Sequence, residues 1–145
     1  MEIEALLCDA VTVREGLLHV LGGGANTLWR EAYPAPLGVD LGLLLTLHPS
    51  EATEAHHVRI ILQDEDGKVV AQLDAEFTIN QPATEPAVRP GQMLYVPLAI
   101  PLRNVPIPNA GSYSVELLVD KQHRRSLPVT AMPAGTTPQA QLPPT

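Results

Sequence analysis

Aromatic side chains are almost missing: 145 residues include one Trp, one Phe and three Tyr. A core without large rings must be aliphatic, and with 45% of residues apolar there is enough Leu, Val, Ile and Ala to build one. Cysteine occurs once, as Cys8. That excludes an intrachain disulfide, and a lone thiol in an apolar run reads as a small buried hydrophobe. Basic residues are scarce too. Nine Lys and Arg face sixteen Asp and Glu, for a net charge of −7, which argues against a nucleic-acid or anionic-membrane footprint. Only Arg124 and Arg125, with Lys121 nearby, cluster, and such a group reads as a solvated turn. No run approaches the ~18 apolar residues of a membrane span. The opening Met1-Glu2-Ile3-Glu4 lacks the basic start of a secretory signal. The expectation is one cytoplasmic domain, with no membrane or nucleic-acid partner.

The patterning that is present has period two. Over residues 68–80, Val69, Ala71, Leu73, Ala75, Phe77 and Ile79 alternate with polar residues, Val70 being the exception. Successive side chains of a strand point to opposite faces, so this is a strand with one dry and one wet side. Val58, Ile60 and Leu62 repeat the pattern, as do Tyr113, Val115, Leu117 and Val119, and the odd-numbered residues of 37–47. Residues 3–13, 17–21 and 124–129 read as extended with less regular alternation. Asp64-Glu65-Asp66-Gly67 reads as a hairpin turn, and residues 120–123 as another. The strand near residues 93–102 carries Pro97 and Pro101 on one face; proline cannot donate to a ladder, so an edge position or a bulge is expected. Residues 81–91, with Pro82, Pro86 and Pro90, read as a loop. No 3.6-residue pattern of helix length appears. The expectation is an all-β antiparallel sandwich of about seven or eight strands over residues 1–130. Residues 131–145, rich in Pro, Thr, Ala and Gln, read as a disordered tail.

Residues that could carry chemistry are explained more simply by structure. Gly22-Gly23-Gly24 lacks the Lys-Ser/Thr of a phosphate loop and reads as a bulge or a bend in a strand. His48, His56 and His57 with Glu51 and Glu54 have the ligand types of a transition-metal site, but adjacent His56 and His57 diverge on a strand. Asp64 and Asp66 lack a glutamate six positions after Gly67, where Leu73 stands, so no calcium loop forms. Cys8, Ser112 and Ser126 sit in no nucleophile motif, and Asp9 beside Cys8 is expected to raise the thiol pKa. No metal, cofactor or catalytic residue is therefore assigned. The remaining candidates form a possible interaction surface: Trp29, Arg30 and Tyr33, scarce aromatics around a cation, with Leu44 and Leu6 on the otherwise polar sides of their strands. Residues 37–47 and 3–13 carry no lysine or internal proline to blunt an edge, so these two strands are expected to be covered by a second copy.

Leu6-Leu7-Cys8-Asp9-Ala10, then Gly16 to Gly24, Tyr33-Pro34-Ala35, Val58 to Gly67, Leu102-Arg103-Asn104-Val105-Pro106-Ile107-Pro108 and Gly111-Ser112-Tyr113 to Asp120 follow one another in the chain. Together they resemble a family of small uncharacterised bacterial proteins. The resemblance covers residues 3–130 and implies an immunoglobulin-like β-sandwich; it implies no activity. Gly111-Ser112-Tyr113 also resembles the tyrosine corner of such sandwiches. The function expected is a non-catalytic protein-interaction or self-assembling module, forming a dimer or larger homo-oligomer or binding another protein. The alternatives are a small-ligand binder with a pocket near Trp29 and Tyr33, and a hydrolase with an unrecognised site.

Overall fold

The computed structural model describes residues 1–79 and 92–135. The loop expected at 81–91 and most of the expected tail, 136–145, lie outside the described residues. Eleven strands follow one another among those described: β1 (Glu2–Arg14), β2 (Leu17–Gly23), β3 (Thr27–Arg30), β4 (Ala35–Pro36), β5 (Asp40–Leu47), β6 (His56–Asp64), β7 (Val69–Phe77), β8 (Leu94–Ile100), β9 (Pro106–Ile107), β10 (Gly111–Val119) and β11 (Gln122–Pro133). A single 3₁₀ turn, Pro49–Glu51, lies between β5 and β6. No described helix is long and apolar enough to cross a membrane.

Two sheets make the sandwich. Sheet A has the order β2-β1-β5-β8, sheet B the order β3-β11-β10-β6-β7, and β4 pairs with β9 in a third, two-stranded ladder. The alternation seen in the sequence decides which side of each strand is dry. Leu41, Leu43, Leu45 and Leu47 of β5 join Val58, Ile60 and Leu62 of β6 and Val115, Leu117 and Val119 of β10 in one buried cluster. Each such side chain contributes about 1.5–3 kcal/mol on burial. Ala71, Leu73 and Phe77 of β7 pack against the cluster from the predicted face. β8 carries Pro97 and lies at the edge of sheet A, where the missing N–H costs no ladder bond.

The turns follow local chemistry. Asp64 Oδ1 accepts from the N–H groups of Asp66 and Lys68, closing the β6–β7 hairpin. Asp120 and Lys121, both at positive φ, turn β10 into β11. The Tyr113 hydroxyl donates to Asn109 O at 2.7 Å, tying the start of β10 to the chain four residues upstream. Asp40 accepts from the N–H groups of Leu102 and Arg103 and from Arg103 Nε, and Arg103 reaches on to Asp9 O. Burial alone would raise the Asp40 carboxyl, but the Arg103 bonds outweigh it and hold the carboxyl below its usual range.

Four expectations are corrected. The strands number more than seven or eight, because β3, β4 and β9 are too short to show alternation. The pairing is not wholly antiparallel: β3 runs parallel to β11, Leu28 facing Ala131. The sandwich does not end at residue 130. Ala131 is buried, Met132 and Pro133 pair with Trp29 and Arg30, and the Ala134 N–H bonds Arg30 O. A short small-residue stretch next to prolines gave no sign that β3 would recruit it. Finally, residues 37–47 and 3–13 are not edges. β1 and β5 pair with each other in the middle of sheet A, and this explains why neither needs a lysine or proline guard.

Candidate interaction surface

The long β1–β2 hairpin defines the outer side of sheet A. In its register Val11 faces Val20 and Val13 faces Leu18, while Ala10 faces Leu21 and Arg14 faces Leu17. Residues two apart share a face, so Val11, Val13, Leu18 and Val20 form one side, and Ala10, Thr12, Arg14, Leu17, His19 and Leu21 the other. The first side leans over β5, where Gly42 makes room. A Cβ at Gly42 would lie 3.2 Å from Val11 Cγ2, 3.4 Å from Leu18 Cδ2 and 3.6 Å from Cys8 Sγ. The hairpin therefore seals Cys8 on what would otherwise be an outer face. Burial pushes the Cys8 thiol up, and the charge of Asp40 acts in the same direction. The expected direction was right, but its source is not Asp9, whose side chain packs against Gly22.

The hairpin is also where apolar surface is open. Leu17 is 61% and Leu21 72% exposed; Leu6, Val13 and Val20 are exposed too, and elsewhere only Val69, Met93 and Tyr95 join them among the described residues. A shallow groove of about 510 Å³ runs along residues 10–12 and 18–21. Leu6 and Leu44, taken from the sequence as surface candidates, lie on this outer side of sheet A, diagonal to one another across the β1–β5 ladder. Trp29, Arg30 and Tyr33 do not join them. Trp29 and Arg30 belong to β3 in sheet B, and Arg30 donates to the Trp29, Pro36 and Leu37 carbonyls. Tyr33 donates its hydroxyl to Met132 O. Trp29 Nε1 is enclosed with no partner among the described residues. The five candidates thus separate: Leu6 and Leu44 on sheet A, Trp29 and Arg30 on sheet B, and Tyr33 in the connection between β3 and β4. The sequence holds no sign of Leu17 and Leu21, because a short apolar run with His19 as its one polar residue does not mark which side is wet.

The model of a family of unknown function, DUF6941, matches residues 4–132. The chain belongs to that family. The matched span runs from within β1 to within the last residues of β11, so DUF6941 here comprises both sheets and reaches past residue 130. No curated protein matches the sequence.

The polar clusters of this DUF6941 chain are tied up in its own ladders. On the outer side of sheet B, Ser126, His123 and Glu116 come together, a combination with the residue types of a hydrolase. His123 Nε2 faces Glu116 Oε2 at 2.6 Å and Ser126 Oγ at 3.1 Å, while Ser126 Oγ also bonds Glu116 Oε2. A catalytic imidazole must stand between acid and serine, using one nitrogen for each; here one nitrogen meets both. Burial would raise the Glu116 carboxyl, but bonds from Ser126, His123 and Ser114 outweigh it and hold it below its usual range. His57 and Arg59 bind Asp74 on the neighbouring strand. The three histidines considered for metal binding separate: His48 caps the 3₁₀ turn, His56 points inward and His57 outward. Among the described residues no three metal-binding side chains converge. The glycine run bends the chain at the end of β2, Gly22 and Gly24 at positive φ, with the Gly24 and Ala25 N–H groups both donating to Leu7 O.

Proposed function

We propose that this chain is a non-catalytic, immunoglobulin-like module of a bacterial protein that works in the cytoplasm by self-association. The observation that carries the reading is the concentration of exposed apolar side chains on one hairpin, Leu6, Val13, Leu17, Val20 and Leu21. Isolated exposed leucines are ordinary, but five exposed apolar side chains gathered on the two sides of one hairpin of a small acidic domain mark a contact element. Two facing sheets and the Tyr113–Asn109 corner support the immunoglobulin-like assignment. The single buried Cys8 suits a reducing compartment. Sedimentation velocity from low to high micromolar concentration tests the proposal. A reversible, concentration-dependent rise in mass above 15.6 kDa is expected. One species of that mass at every concentration would overturn it.

A further inference from the structure

We infer that the partner is a second copy of this chain, joined edge to edge through β2 about a two-fold axis at His19; this rests on the self-association proposed above. Among the described residues the two large sheets have four edges: β2 and β8 in sheet A, β3 and β7 in sheet B. An edge presents unpaired N–H and C=O groups and is normally blunted by brevity, charge or proline. β8 carries Pro97. β3 has only four residues. β7 carries Asp74 and Glu76. β2, Leu-Leu-His-Val-Leu-Gly-Gly, has no charged residue and no proline, and exposes Leu17 and Leu21. It is the one unguarded edge of the four.

The geometry also selects the register. Extended backbone in β2 is bounded by Gly16 at φ 71° on one side and Gly22 at φ 61° on the other. The straight run is residues 17–21, and its midpoint is His19. Antiparallel pairing of this run with itself sets Leu17 against Leu21 of the second copy and Leu18 against Val20. Combined with the β1–β2 register, one face then carries the row Val13, Leu18, Val20, Val11 across four strands, the last two from the second copy. The other face carries Arg14, Leu17, Leu21 and Ala10 in the same way. Every cross-strand contact at the junction is apolar except His19 against itself, and no two like formal charges meet. An isologous contact of this kind closes on itself as a dimer, so the rest of the acidic surface stays apart. Two four-stranded sheets become one of eight.

Four variants, Leu21→Lys, Val69→Lys, His19→Cys and Val20→Cys, test the assignment alongside the wild type. Leu21→Lys places the natural edge guard on an exposed side chain, so folding is preserved, and is expected to weaken self-association at least tenfold. Val69→Lys, on exposed β7, is expected to leave it unchanged. His19→Cys sets two thiols opposite one another at about 4.5–5.5 Å between Cα atoms, within reach of a disulfide. Under mild oxidation it is expected to form a covalent dimer, which wild type, with only buried Cys8, does not. Wild-type protein that associates while Leu21→Lys has no effect, or crosslinking through Val20→Cys in place of His19→Cys, would overturn the edge or the register and leave self-association standing. A wild type monomeric throughout would overturn both.

Discussion

Replacing His56 by Leu should cost stability by an amount that shrinks as the pH rises. His56 is buried at the start of β6. Its Nδ1 lies 2.7 Å from Asp120 Oδ2, its Nε2 lies 2.5 Å from Glu51 O, and its ring stacks on Phe77 at 5.4 Å. Both nitrogens face oxygen acceptors, so only the doubly protonated ring satisfies both. Burial would lower the His56 pKa, but the bonds to Asp120 and Glu51 O outweigh it and raise it above 6.5. A charge-assisted hydrogen bond is worth about 1.5–3 kcal/mol, and the half-exposed Asp120 carboxylate puts this one at the low end. With the second bond and the ring contact, the loss at pH 5.5 should be about 3 kcal/mol. The sign follows from linkage. A raised pKa stabilises fully below the unfolded value and loses that contribution as pH climbs through the folded value. On the acid side burial would raise the Asp120 carboxyl, but bonds from His56 and the His57 N–H outweigh it and lower it. Its contribution is therefore present above its ordinary 3.8 and lost as pH falls through the folded value. Urea unfolding of both proteins at pH 5.5 and 8.5 measures the difference. A narrowing of about 1 kcal/mol or more is expected at the higher pH. An equal difference at both would refute the doubly bonded imidazolium.

Two further perturbations probe the corrected fold and the hairpin seal. Ending the chain at Thr130 removes buried Ala131 and the partners of Trp29 and Arg30. It should destabilise the domain by about 3 kcal/mol or more and red-shift the Trp29 fluorescence, whereas unchanged unfolding would mean that the last turn of β11 holds nothing. Gly42→Leu drives a side chain into Val11 and Leu18. It should cost about 1–3 kcal/mol and speed the reaction of Cys8 with a thiol reagent in native buffer; a thiol as slow as in wild type would mean the hairpin does not cover it.

The sequence made the long strands readable because half-buried strands must alternate, and β5, β6, β7 and β10 do. Pro97 announced an edge for the same reason that proline is harmless there. Strand order was not readable: nothing local says that β1 joins β5 or that β3 reaches across to β11. The unguarded stretches of β1 and β5 read as edges in the sequence because a strand without lysine is ambiguous between an edge that needs a partner and an interior that has one. Leu6 and Leu44 were identifiable as apolar residues on the wrong side of their strands. Leu17 and Leu21 were not, since β2 offers no polar residue but His19 to mark its wet side. Asp40 and Arg103 lie 63 residues apart, and their pairing left no local trace.

The parallel pairing of β3 with β11 has a consequence for how the chain is made. Thr27 and Thr130 meet across about a hundred residues of intervening chain, a closure costing about 4 kcal/mol in entropy before any contact repays it. β11 also lies between β3 and β10. During synthesis, at roughly 5–20 residues per second, β3 emerges early and waits several seconds for β11, its ladder partner in the finished sheet. Through that interval β3 is loose, and once β10 is made its edge stays open until β11 follows. The domain is thus obliged to finish folding after its last strand has been made, and a nascent chain stalled short of that point exposes its aliphatic interior to whatever holdase or neighbouring chain is at hand.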